Sequence, residues 1–366
     1  MLPTVAVFTD TYLPTVNGVS YTIQTWRDRW VRRGGRMHVV HPGVDGYDPE
    51  RDEHPVRSVE FPFYEGFHVG LPSIPPDVGA ADVVHAHTPF LLGLSGLRFA
   101  RQADLPLLAS YHTPTAEYAD YLANGPVATG IERAALTYER WFLDRTDGVV
   151  VPSDPARAHL ANVGVDVPVY VVPNGVDVER FAPTDPAAFR ARHDLPDGPL
   201  VGYTGRHGYE KRLVDVVEAA ARVEEATFVF GGDGPARADL ERRADDLGVD
   251  VRFLGFLDRE ELPAFYSALD VFAFPSPVET QGLVALEANA CGTPVVGADS
   301  GALAETIDHG ETGYHYPTGD PEAFAAAIRR ALSNRETLRA RCLDRRDAMS
   351  VDHAVDRIAT VYEDVR

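Results

Sequence analysis

The chain of 366 residues is 45% hydrophobic, so it is long and apolar enough for two domains with full cores. Its 55 acidic and 34 basic residues leave a net charge of -21, which argues against general binding to nucleic acid. It has no run of about 18 apolar residues, and its first residues lack the basic start of a signal peptide. We therefore expect a cytoplasmic protein without a membrane-spanning helix.

The acidic residues are spread along the chain, which is typical of adaptation to a high-salt cytoplasm. The two cysteines, Cys291 and Cys342, argue against a disulfide framework. Lys211 is the only lysine among the 34 basic residues. This position is therefore a candidate for a site that needs a compact ammonium group rather than a planar guanidinium. The alternative is that Lys211 has survived by chance in a composition that disfavours lysine.

The N-terminal part of the chain predicts the opening of a doubly wound fold. Residues 5–8 form an apolar strand pattern, a loop with Asn17 and Gly18 follows, and a helix pattern covers 19–33 before the next strand, MHVVHPG. Strand, glycine turn, helix and strand is a βαβ arrangement. Gly18 would let the backbone approach a ligand at the end of the first strand, although Asn-Gly is also a common turn signal. Residues 43–80 predict irregular structure.

Two predicted strands further along run into histidines. ADVVHAH ends at His85 and His87, and PLLASYH ends at His112. The carboxyl ends of the strands are where open α/β sheets bind ligands, so His87 and His112 are candidate site residues. The alternative is that they are hydrogen-bonded structural residues.

The remaining patterns predict a second domain of the same type. An amphipathic helix over 131–147 and two strands complete the first domain, and a proline-rich acidic stretch places the boundary within 176–198. Strands and helices then alternate, with a helix from Tyr209 to Val223, a turn unit near 301–317 and helices from about 321 to the C-terminus.

Three strand ends of the second domain predict contacts to an anionic nucleotide. GYTGRHGYEKR carries Arg206 and Lys211. The guanidinium of Arg206 can bind a diphosphate through two hydrogen bonds, and the ammonium of Lys211 can bind it as a compact positive charge. FGGDGP carries Gly232, where the backbone can approach a ligand closely. FLGFL carries Phe256 in an apolar edge suited to a nucleotide base.

A fourth strand end leads into SPVETQGLVALEANACGTP, residues 276–294. Gly282 precedes an apolar helix that begins at Leu283, so free backbone N–H groups and the positive end of the helix dipole face the loop that carries Glu279. Glu287 lies about 7–8 Å further along the helix axis. The two carboxylates are candidates for gripping the two ends of a sugar nucleotide. The alternative is a solvated glutamate beside a helix with one polar face.

Three motifs of other nucleotide enzymes are absent from the sequence. There is no D-x-D aspartate pair, no G-x-x-x-x-G-K-[ST] loop, and GGDGP lacks the dinucleotide spacing G-x-G-x-x-G. We therefore expect no metal and no cofactor, with two cations stabilising a departing diphosphate.

Eight short motifs, each weak alone, form a specific set through their order and spacing. They are VNGV at 16–19, VHAHTP at 84–89, YHT at 111–113, VPNGVD at 172–177, GR with EK at 205–206 and 210–211, FGGDGP at 230–235, FLGFL at 253–257, and E-x7-E at 279–287. With this set the chain resembles the family-four retaining glycosyltransferases of the GT-B architecture over nearly its whole length.

The resemblance implies an α/β fold with two Rossmann-like domains that face each other across a cleft. Residues 1–178 would form the acceptor-side domain and residues 179–349 the domain that binds the nucleotide sugar. The helix over 350–366 would cross back onto the first domain.

The resemblance also implies roles for single residues. Arg206 and Lys211 would hold the donor diphosphate, Glu279 would bind hydroxyls of the transferred sugar, Glu287 would bind the ribose, and His112 would touch the donor sugar at the reacting centre. His87 and Tyr111 are candidates on the acceptor side. The other donor-binding positions are Gly18, Gly232, Phe256, Gly282 and Leu283.

Within the family, the segments TDTYLPTVNGVS and YHTPTAEYADYL most resemble enzymes that glycosylate membrane lipids, such as glycosyl-diacylglycerol synthases and phosphatidylinositol mannosyltransferases. The resemblance implies transfer of a hexose, from UDP, to a lipid or lipid-linked acceptor at the cytoplasmic membrane face. The helix over 20–36 carries Trp26, Trp30 and five arginines and is a candidate for contact with anionic lipid. The alternative is an ordinary amphipathic helix with core tryptophans. FPFYEGFHVGLP, residues 61–72, is a second candidate, or a loop packed on the cleft.

Three other functions stay open at this point. The acceptor could be a soluble sugar or a growing polysaccharide. A sugar-nucleotide epimerase of similar architecture is disfavoured by the E-x7-E spacing and the Glu-Lys pair. A non-catalytic binding module is disfavoured by the presence of Arg206, Lys211, Glu279 and Glu287. The oligomeric state is not predicted.

Overall fold

The computed structural model describes residues 2–60, 68–112 and 126–366, and the chain forms two compact units. The first unit is Met1–Asn174 together with Ala354–Arg366, and the second is Gly175–His353. Each unit has its own parallel sheet and its own hydrophobic core. The predicted fold class, α/β with two Rossmann-like domains, is confirmed.

Strands alternate with helices along the first unit. The strands are β1 (Thr4–Phe8), β2 (Arg36–Pro42), β3 (Glu53–Val56), β4 (Ser58–Glu60), β5 (His68–Gly70), β6 (Val83–Ala86), β7 (Leu107–Ser110), β8 (Gly148–Val151) and β9 (Val169–Val171). The helices are α1 (Gly18–Arg32), α2 (Leu91–Ala103), α3 (Pro126–Leu143) and α4 (Asp154–Val163). The main sheet has the order β3-β2-β1-β6-β7-β8-β9, and β4 and β5 form a separate antiparallel pair.

The second unit repeats the alternation. Its strands are β10 (Leu200–Thr204), β11 (Thr227–Gly231), β12 (Val251–Gly255), β13 (Val271–Phe274), β14 (Val295–Ala298) and β15 (Gly313–Tyr316). Its helices are α5 (Ala187–Arg192), α6 (Val214–Ala220), α7 (Arg237–Leu247), α8 (Leu262–Ala268), α9 (Leu283–Ala290), α10 (Leu303–Thr306), α11 (Pro321–Ser333) and α12 (Arg335–Asp344). The sheet order is β12-β11-β10-β13-β14-β15, with every pair of neighbours parallel.

The last helix, α13 (Val351–Asp364), supplies core side chains to the first unit. Tyr362 is fully buried, its hydroxyl lies 2.7 Å from His85 Nδ1, and its ring meets the ring of Trp30 edge-on at 5.4 Å between centroids. Arg357 also donates a 2.7 Å hydrogen bond to the carbonyl of Val171. Residues far apart in the sequence therefore complete one core.

The tryptophans of α1 are core residues. Trp26 and Trp30 are almost fully buried, and their indole N–H groups donate to the carbonyls of Asn174 and Pro3 at 2.7 and 3.1 Å. Of the two interpretations, the amphipathic helix with core tryptophans is therefore confirmed for these side chains and lipid contact by them is excluded, because their apolar faces and their N–H groups are both satisfied inside the unit. Residues 61–67 of the second candidate lie outside the described residues. None of the helices in the described ranges combines the length and apolarity needed to span a bilayer.

Three local predictions were wrong. Residues 43–80 contain strand β3, which joins the sheet beside β2, and residues 313–316 form strand β15. Both strands are only four residues long, and β3 contains a proline, so neither has a clear strand pattern. The helix expected from Tyr209 is interrupted at Arg212, which has a positive φ of 52° and binds the carboxylate of Asp215 through two hydrogen bonds.

Helix α2 packs unusually closely on the turn that follows β6. A Cβ atom added to Gly93 would lie 1.9 Å from the backbone oxygen of Thr88. Gly130 of α3 is the opposite case, because a Cβ there meets no heavy atom of the described residues within 4 Å.

We therefore expect Gly93→Ala to destabilise the protein by about 2–3 kcal/mol and Gly130→Ala to stabilise it by about 0.5–1 kcal/mol.

Urea unfolding of both variants at one pH tests this pair of expectations. Both changes replace a helical glycine by alanine, so propensity alone would stabilise both proteins to a similar extent. A Gly93→Ala protein as stable as the parent would show that the close contact between α2 and Thr88 is absent in solution.

Candidate active site

The strand order of the second unit creates a crevice at the carboxyl edge of its sheet. β11 and β12 lie on one side of β10, and β13, β14 and β15 lie on the other. Loops that leave β10 and β13 therefore turn in opposite directions, and the gap between such loops is where doubly wound sheets bind ligands. Arg206 and Lys211 follow β10, and Glu279 follows β13. These three predicted site residues lie together at this gap.

Lys211 and Glu279 are joined directly. The ammonium group of Lys211 donates to Glu279 Oε1 at 2.7 Å, and both side chains are mostly buried, with 22% and 16% of their surface exposed. A compact ammonium on a loop after β10 thus reaches a carboxylate on a loop after β13. The only lysine of the chain is thus held in an ion pair at this edge of the sheet.

Arg206 makes a second ion pair at the same edge. Its Nη2 atom donates to Glu210 Oε1 at 2.5 Å, and both side chains are partly exposed. The buried phenol of Tyr203 lies beneath this cluster and donates to the carbonyl of Arg206 at 3.2 Å. Burial raises the pKa of Tyr203, and the nearby carboxylates of Glu279 and Glu210 raise it further. Two cations and two anions therefore share one small region above Tyr203.

Glycines let two backbone segments meet beside these charges. Gly232 has a φ of +96°, and a Cβ there would lie 2.1 Å from the carbonyl oxygen of Gly205. The next glycine of the loop, Gly234, has a φ of +157°, and a Cβ there would lie 2.7 Å from the carbonyl oxygen of His207. The loop after β11 thus lies directly on the loop that carries Arg206, and only residues without Cβ atoms allow this.

Helix α9 begins at the predicted position. Gly282 is its N-cap with a φ of +79°, Leu283 is its first residue, and no side chain caps it. The preceding loop is held by the segment after β14, because Ala302 N donates to the Glu279 carbonyl at 3.3 Å and Thr306 Oγ1 to the Gln281 carbonyl at 2.6 Å. The free N–H groups of this helix end are suited to an anionic group.

Glu287 lies further along α9 and is partly buried. The buried hydroxyl of Tyr266 donates to Glu287 Oε2 at 2.8 Å. Burial raises the pKa of Glu287 to about 7, against the opposing effects of Arg259 and of this hydrogen bond. Near neutral pH both the protonated and the ionised form of Glu287 are therefore populated. Its carboxyl group can then donate hydrogen bonds to hydroxyl groups as well as accept them.

Phe256 lies just beyond β12 with 66% of its surface exposed. Such exposure is unusual for a phenylalanine, and its neighbour Leu257 is buried in the core. An aromatic ring held open at the carboxyl edge offers a stacking surface for a base.

The histidines of the first unit form a buried row at the carboxyl ends of β6 and β7. His87 Nδ1 and His112 Nε2 lie 2.8 Å apart within a hydrogen bond, and their rings are stacked with centroids 5.1 Å apart. His85 lies between Ser110 Oγ at 2.9 Å and the Tyr362 hydroxyl at 2.7 Å. The structure thus joins His87 to His112, as expected for residues that follow adjacent parallel strands.

Burial keeps these imidazoles neutral. It lowers the pKa of His85 to about 3 and that of His112 to about 4, and it holds the pKa of His87 well below its ordinary value with help from its two histidine neighbours. Neutral imidazoles can both donate and accept hydrogen bonds at physiological pH. Tyr111 is buried and stacks on His159, with ring centroids 5.9 Å apart.

The loop that carries Gly18 is ordered by its own polar side chains. Asn17 caps α1 through a 2.9 Å hydrogen bond from Ser20 N, and its amide donates to Thr11 Oγ1 at 2.7 Å. Buried Asp10 accepts hydrogen bonds from Thr88 Oγ1 at 2.7 Å and from Leu92 N. Burial raises the pKa of Asp10 to about 6. Asp10 therefore ties the first loop to the turn that follows His87.

Sequence patterns did not identify Tyr203, Tyr266, Asp10 or Tyr362 as residues of these sites. A single tyrosine or aspartate in an apolar strand or helix has no spacing that marks it, and only the folded contacts give it a role. Glu210 was noticed only as part of the Glu-Lys motif. In the described ranges no group of three or more His, Cys, Asp or Glu side chains is arranged to hold a metal ion.

Two family models match the chain and together cover most of it. The model "Glycosyltransferase Family 4" matches residues 16–180, and the model "Glycosyl transferases group 1" matches residues 186–345.

Relatives with known names match over most of their length. The alpha-monoglucosyldiacylglycerol synthase of Streptococcus pneumoniae is 31% identical over 80% of this chain and 70% of that protein. The GDP-mannose-dependent alpha-mannosyltransferase of Mycolicibacterium smegmatis is 31% identical over 90% of this chain and 88% of that protein. Among solved structures, the sucrose-phosphate synthase of Thermosynechococcus elongatus has a TM-score of 0.79 and 25% identity over 100% of this chain and 99% of that one.

Glu287 yields a prediction about stability and pH. Its pKa is raised from 4.5 to about 7 in the folded protein, so between these values the folded state holds a proton that the unfolded state releases. The stabilisation linked to this proton is complete at low pH and is lost as the pH rises through about 7. Glu287→Gln keeps an acceptor for Tyr266 without a charge. We expect it to be more stable than the parent by about 3 kcal/mol at pH 8 and by less than about 1 kcal/mol at pH 5.

Urea unfolding at both pH values measures this difference. Glu311→Gln is the matched control, because Glu311 is partly exposed and pairs with Arg341 at 2.8 Å at the opposite edge of the sheet. An equal effect of Glu287→Gln at pH 5 and pH 8 would contradict the raised pKa.

Proposed function

The chain belongs to glycosyltransferase family 4 and is a hexosyltransferase of the GT-B type, and from this premise we propose that it moves a hexose from a nucleoside diphosphate sugar to a lipid or lipid-linked acceptor with retention of the anomeric configuration. The observation that carries the proposal is the convergence of Arg206, Lys211 and Glu279 at the point where the second sheet reverses its strand order. Two cations, a carboxylate and a free helix end in one crevice match a sugar attached to a diphosphate.

Each group in the crevice has a defined task in this proposal. Arg206 and Lys211 bind the diphosphate and stabilise the charge that develops as it departs. Glu279 accepts hydrogen bonds from hydroxyls of the transferred sugar, and the N-terminus of α9, at Gly282 and Leu283, faces the same anion. Glu287 binds the ribose hydroxyls, and Phe256 lies against the base. Gly232 lets the backbone approach the phosphates.

The bond between the anomeric carbon and the diphosphate oxygen breaks, and an acceptor oxygen bonds to the same face of the sugar. The acceptor proton passes to the departing phosphate, and the positive charge that develops on the sugar is oxocarbenium-like. No pair of carboxylates with a glycosidase role is needed for this route. From the family resemblance we propose that His112 touches the donor sugar and that Gly18 lets its loop approach the donor. We propose His87 and Tyr111 as residues on the acceptor side.

We propose that the reaction needs no metal, since Arg206 and Lys211 supply the positive charge that a divalent cation would otherwise bring. We propose UDP as the nucleotide of the donor. GDP is the alternative, because one relative is named as GDP-mannose-dependent.

The named synthase of a glucosylated diacylglycerol supports a lipid acceptor, with the enzyme at the cytoplasmic membrane face. A soluble acceptor is the second candidate, because the sucrose-phosphate synthase shares the fold across the whole chain.

The first test is a transfer assay in high salt with a chelator, suited to a chain of net charge -21. UDP-, GDP- and ADP-sugars are supplied with and without total lipid extract. We expect labelled sugar in the lipid phase with a UDP-sugar and no loss of rate with chelator. Nucleotide release without a lipid product would move the acceptor to soluble glycans, and dependence on added metal would refute the metal-free route.

Lys211 gives a sharper test of the donor site. Lys211→Ala should weaken UDP binding by about 10- to 100-fold, because a charge-assisted hydrogen bond to phosphate is lost, and should leave uridine binding nearly unchanged. Calorimetric titration measures both affinities, with Arg341→Ala as a charge-matched control at the opposite edge of the sheet. Equal losses for UDP and uridine would show that Lys211 does not contact the diphosphate.

A further inference from the structure

Both cations that the proposed function assigns to the donor diphosphate already hold carboxylates. Lys211 binds Glu279 at 2.7 Å, and Arg206 binds Glu210 at 2.5 Å. Glu279 has its own task with the sugar hydroxyls in the proposed mechanism. Glu210 has no task in the proposed mechanism, although its carboxylate is bound to Arg206. Its position therefore calls for a separate explanation.

The fold makes special room for the Glu210 carboxylate. Gly208 precedes the short 3-10 turn Tyr209–Lys211, and a Cβ atom added to Gly208 would lie 2.2 Å from both carboxylate oxygens of Glu210. The side chain thus folds back over a bare Cα to reach Arg206. The backbone of Gly208 is extended, with φ -85° and ψ 151°, so any residue could adopt it. The absent side chain, rather than backbone freedom, is what this glycine provides.

We propose that Glu210 is an internal competitor for the diphosphate: its carboxylate occupies Arg206 in the ligand-free enzyme, leaves it when a nucleoside diphosphate binds, and returns as the product departs. This inference rests on the proposed function, because it takes Arg206 as a diphosphate ligand. A carboxylate and a phosphate are both anionic acceptors for a guanidinium fork. Holding both anions on one partly buried cation is unfavourable, since the like charges repel each other.

The competition has a kinetic consequence. A product that carries a diphosphate would bind strongly to two cations and a helix end, and slow release of product limits many enzymes. Glu210 lowers the affinity for donor and product alike by offering Arg206 another partner. Removing this partner should therefore tighten UDP binding and slow UDP release.

Another role for Glu210 would have the opposite sign. If Glu210 stays bound and only orients Arg206 toward the phosphate, its loss should weaken UDP binding. The direction of the change in affinity therefore separates a competitor from a positioning residue.

Two variants remove the competition in different ways. Glu210→Gln deletes the charge and keeps the shape of the side chain. Gly208→Ala keeps the charge but places a methyl group where the carboxylate lies, so the Glu210 carboxylate must shift from its position on Arg206. Glu311→Gln is the matched control, because it breaks an arginine pair of 2.8 Å in the same unit and changes the net charge equally.

Calorimetric titration with UDP and with uridine, at two salt concentrations, tests the inference on the full-length protein. We expect Glu210→Gln and Gly208→Ala each to tighten UDP binding by about 5- to 10-fold, the range for one partly exposed charged contact. Uridine affinity and the Glu311→Gln protein should stay unchanged. Inhibition of transfer by UDP should strengthen by the same factor.

Each outcome decides a different question. Weaker or unchanged UDP binding in Glu210→Gln and Gly208→Ala, with thermal unfolding like that of the parent, overturns the competitor role. If only Glu210→Gln misfolds, Gly208→Ala still tests the displacement. If Lys211→Ala also leaves UDP affinity unchanged, the donor site itself is misplaced, which separates failure of the proposed function from failure of this inference.

Discussion

The reversal of strand order beside the first strand of each sheet is the constraint on which the candidate sites depend. In the first unit, β2 and β3 lie on one side of β1 and β6 to β9 on the other, and the second unit repeats this around β10. Parallel strands place their carboxyl ends at one edge, and the reversal keeps neighbouring loops apart. The loop of Gly18 and the turn of His87 therefore share one edge in the first unit. Arg206, Lys211 and Glu279 share the corresponding edge in the second. Neither set could converge if the crossover between strands took another path.

Electrostatics adds a second constraint, because an anion must bind to a chain of net charge -21. The crevice brings two cations, Arg206 and Lys211, together on the loop after β10, and one carboxylate pairs with each of them. Burial acts differently on the other titratable groups. It keeps the histidines of the first unit neutral and leaves Glu287 close to half-protonated near neutral pH. These groups can exchange hydrogen bonds with hydroxyls without carrying a full charge into an apolar setting.

Much of the fold could be predicted from the sequence, because strong local signals mark the elements. The run from Leu283 to Ala290 begins and ends as predicted, since Gly282 adopts a positive φ and Gly292 follows the helix. Strands β3 and β15 could not be predicted, because four residues contain too little alternation and their stability comes from a neighbouring strand. The charged candidates Arg206, Lys211 and Glu279 were predicted through spacing in motifs, and the structure brings them together. Tyr203 and Tyr266 were not, because a buried phenol is marked only by the carboxylate or carbonyl that lies beside it in three dimensions. The arginine-rich helix left two interpretations open, since composition cannot tell whether Trp26 and Trp30 pack inward, and the structure confirms the core position of both side chains.

Helix α13 gives the first unit an unusual dependence on the order of synthesis. The unit contains Met1–Asn174, yet Tyr362 fills the space between Trp30 and His85 from the far end of the chain. Domains usually fold from the N-terminus as they emerge from the ribosome. Here the first sheet can form early, but the side chains of Trp30 and His85 that Tyr362 covers stay exposed to water until the second unit has been made. The helix that closes the first core is translated after the second unit, so His85 gains its contact with Tyr362 only after residues 175–353 have been made.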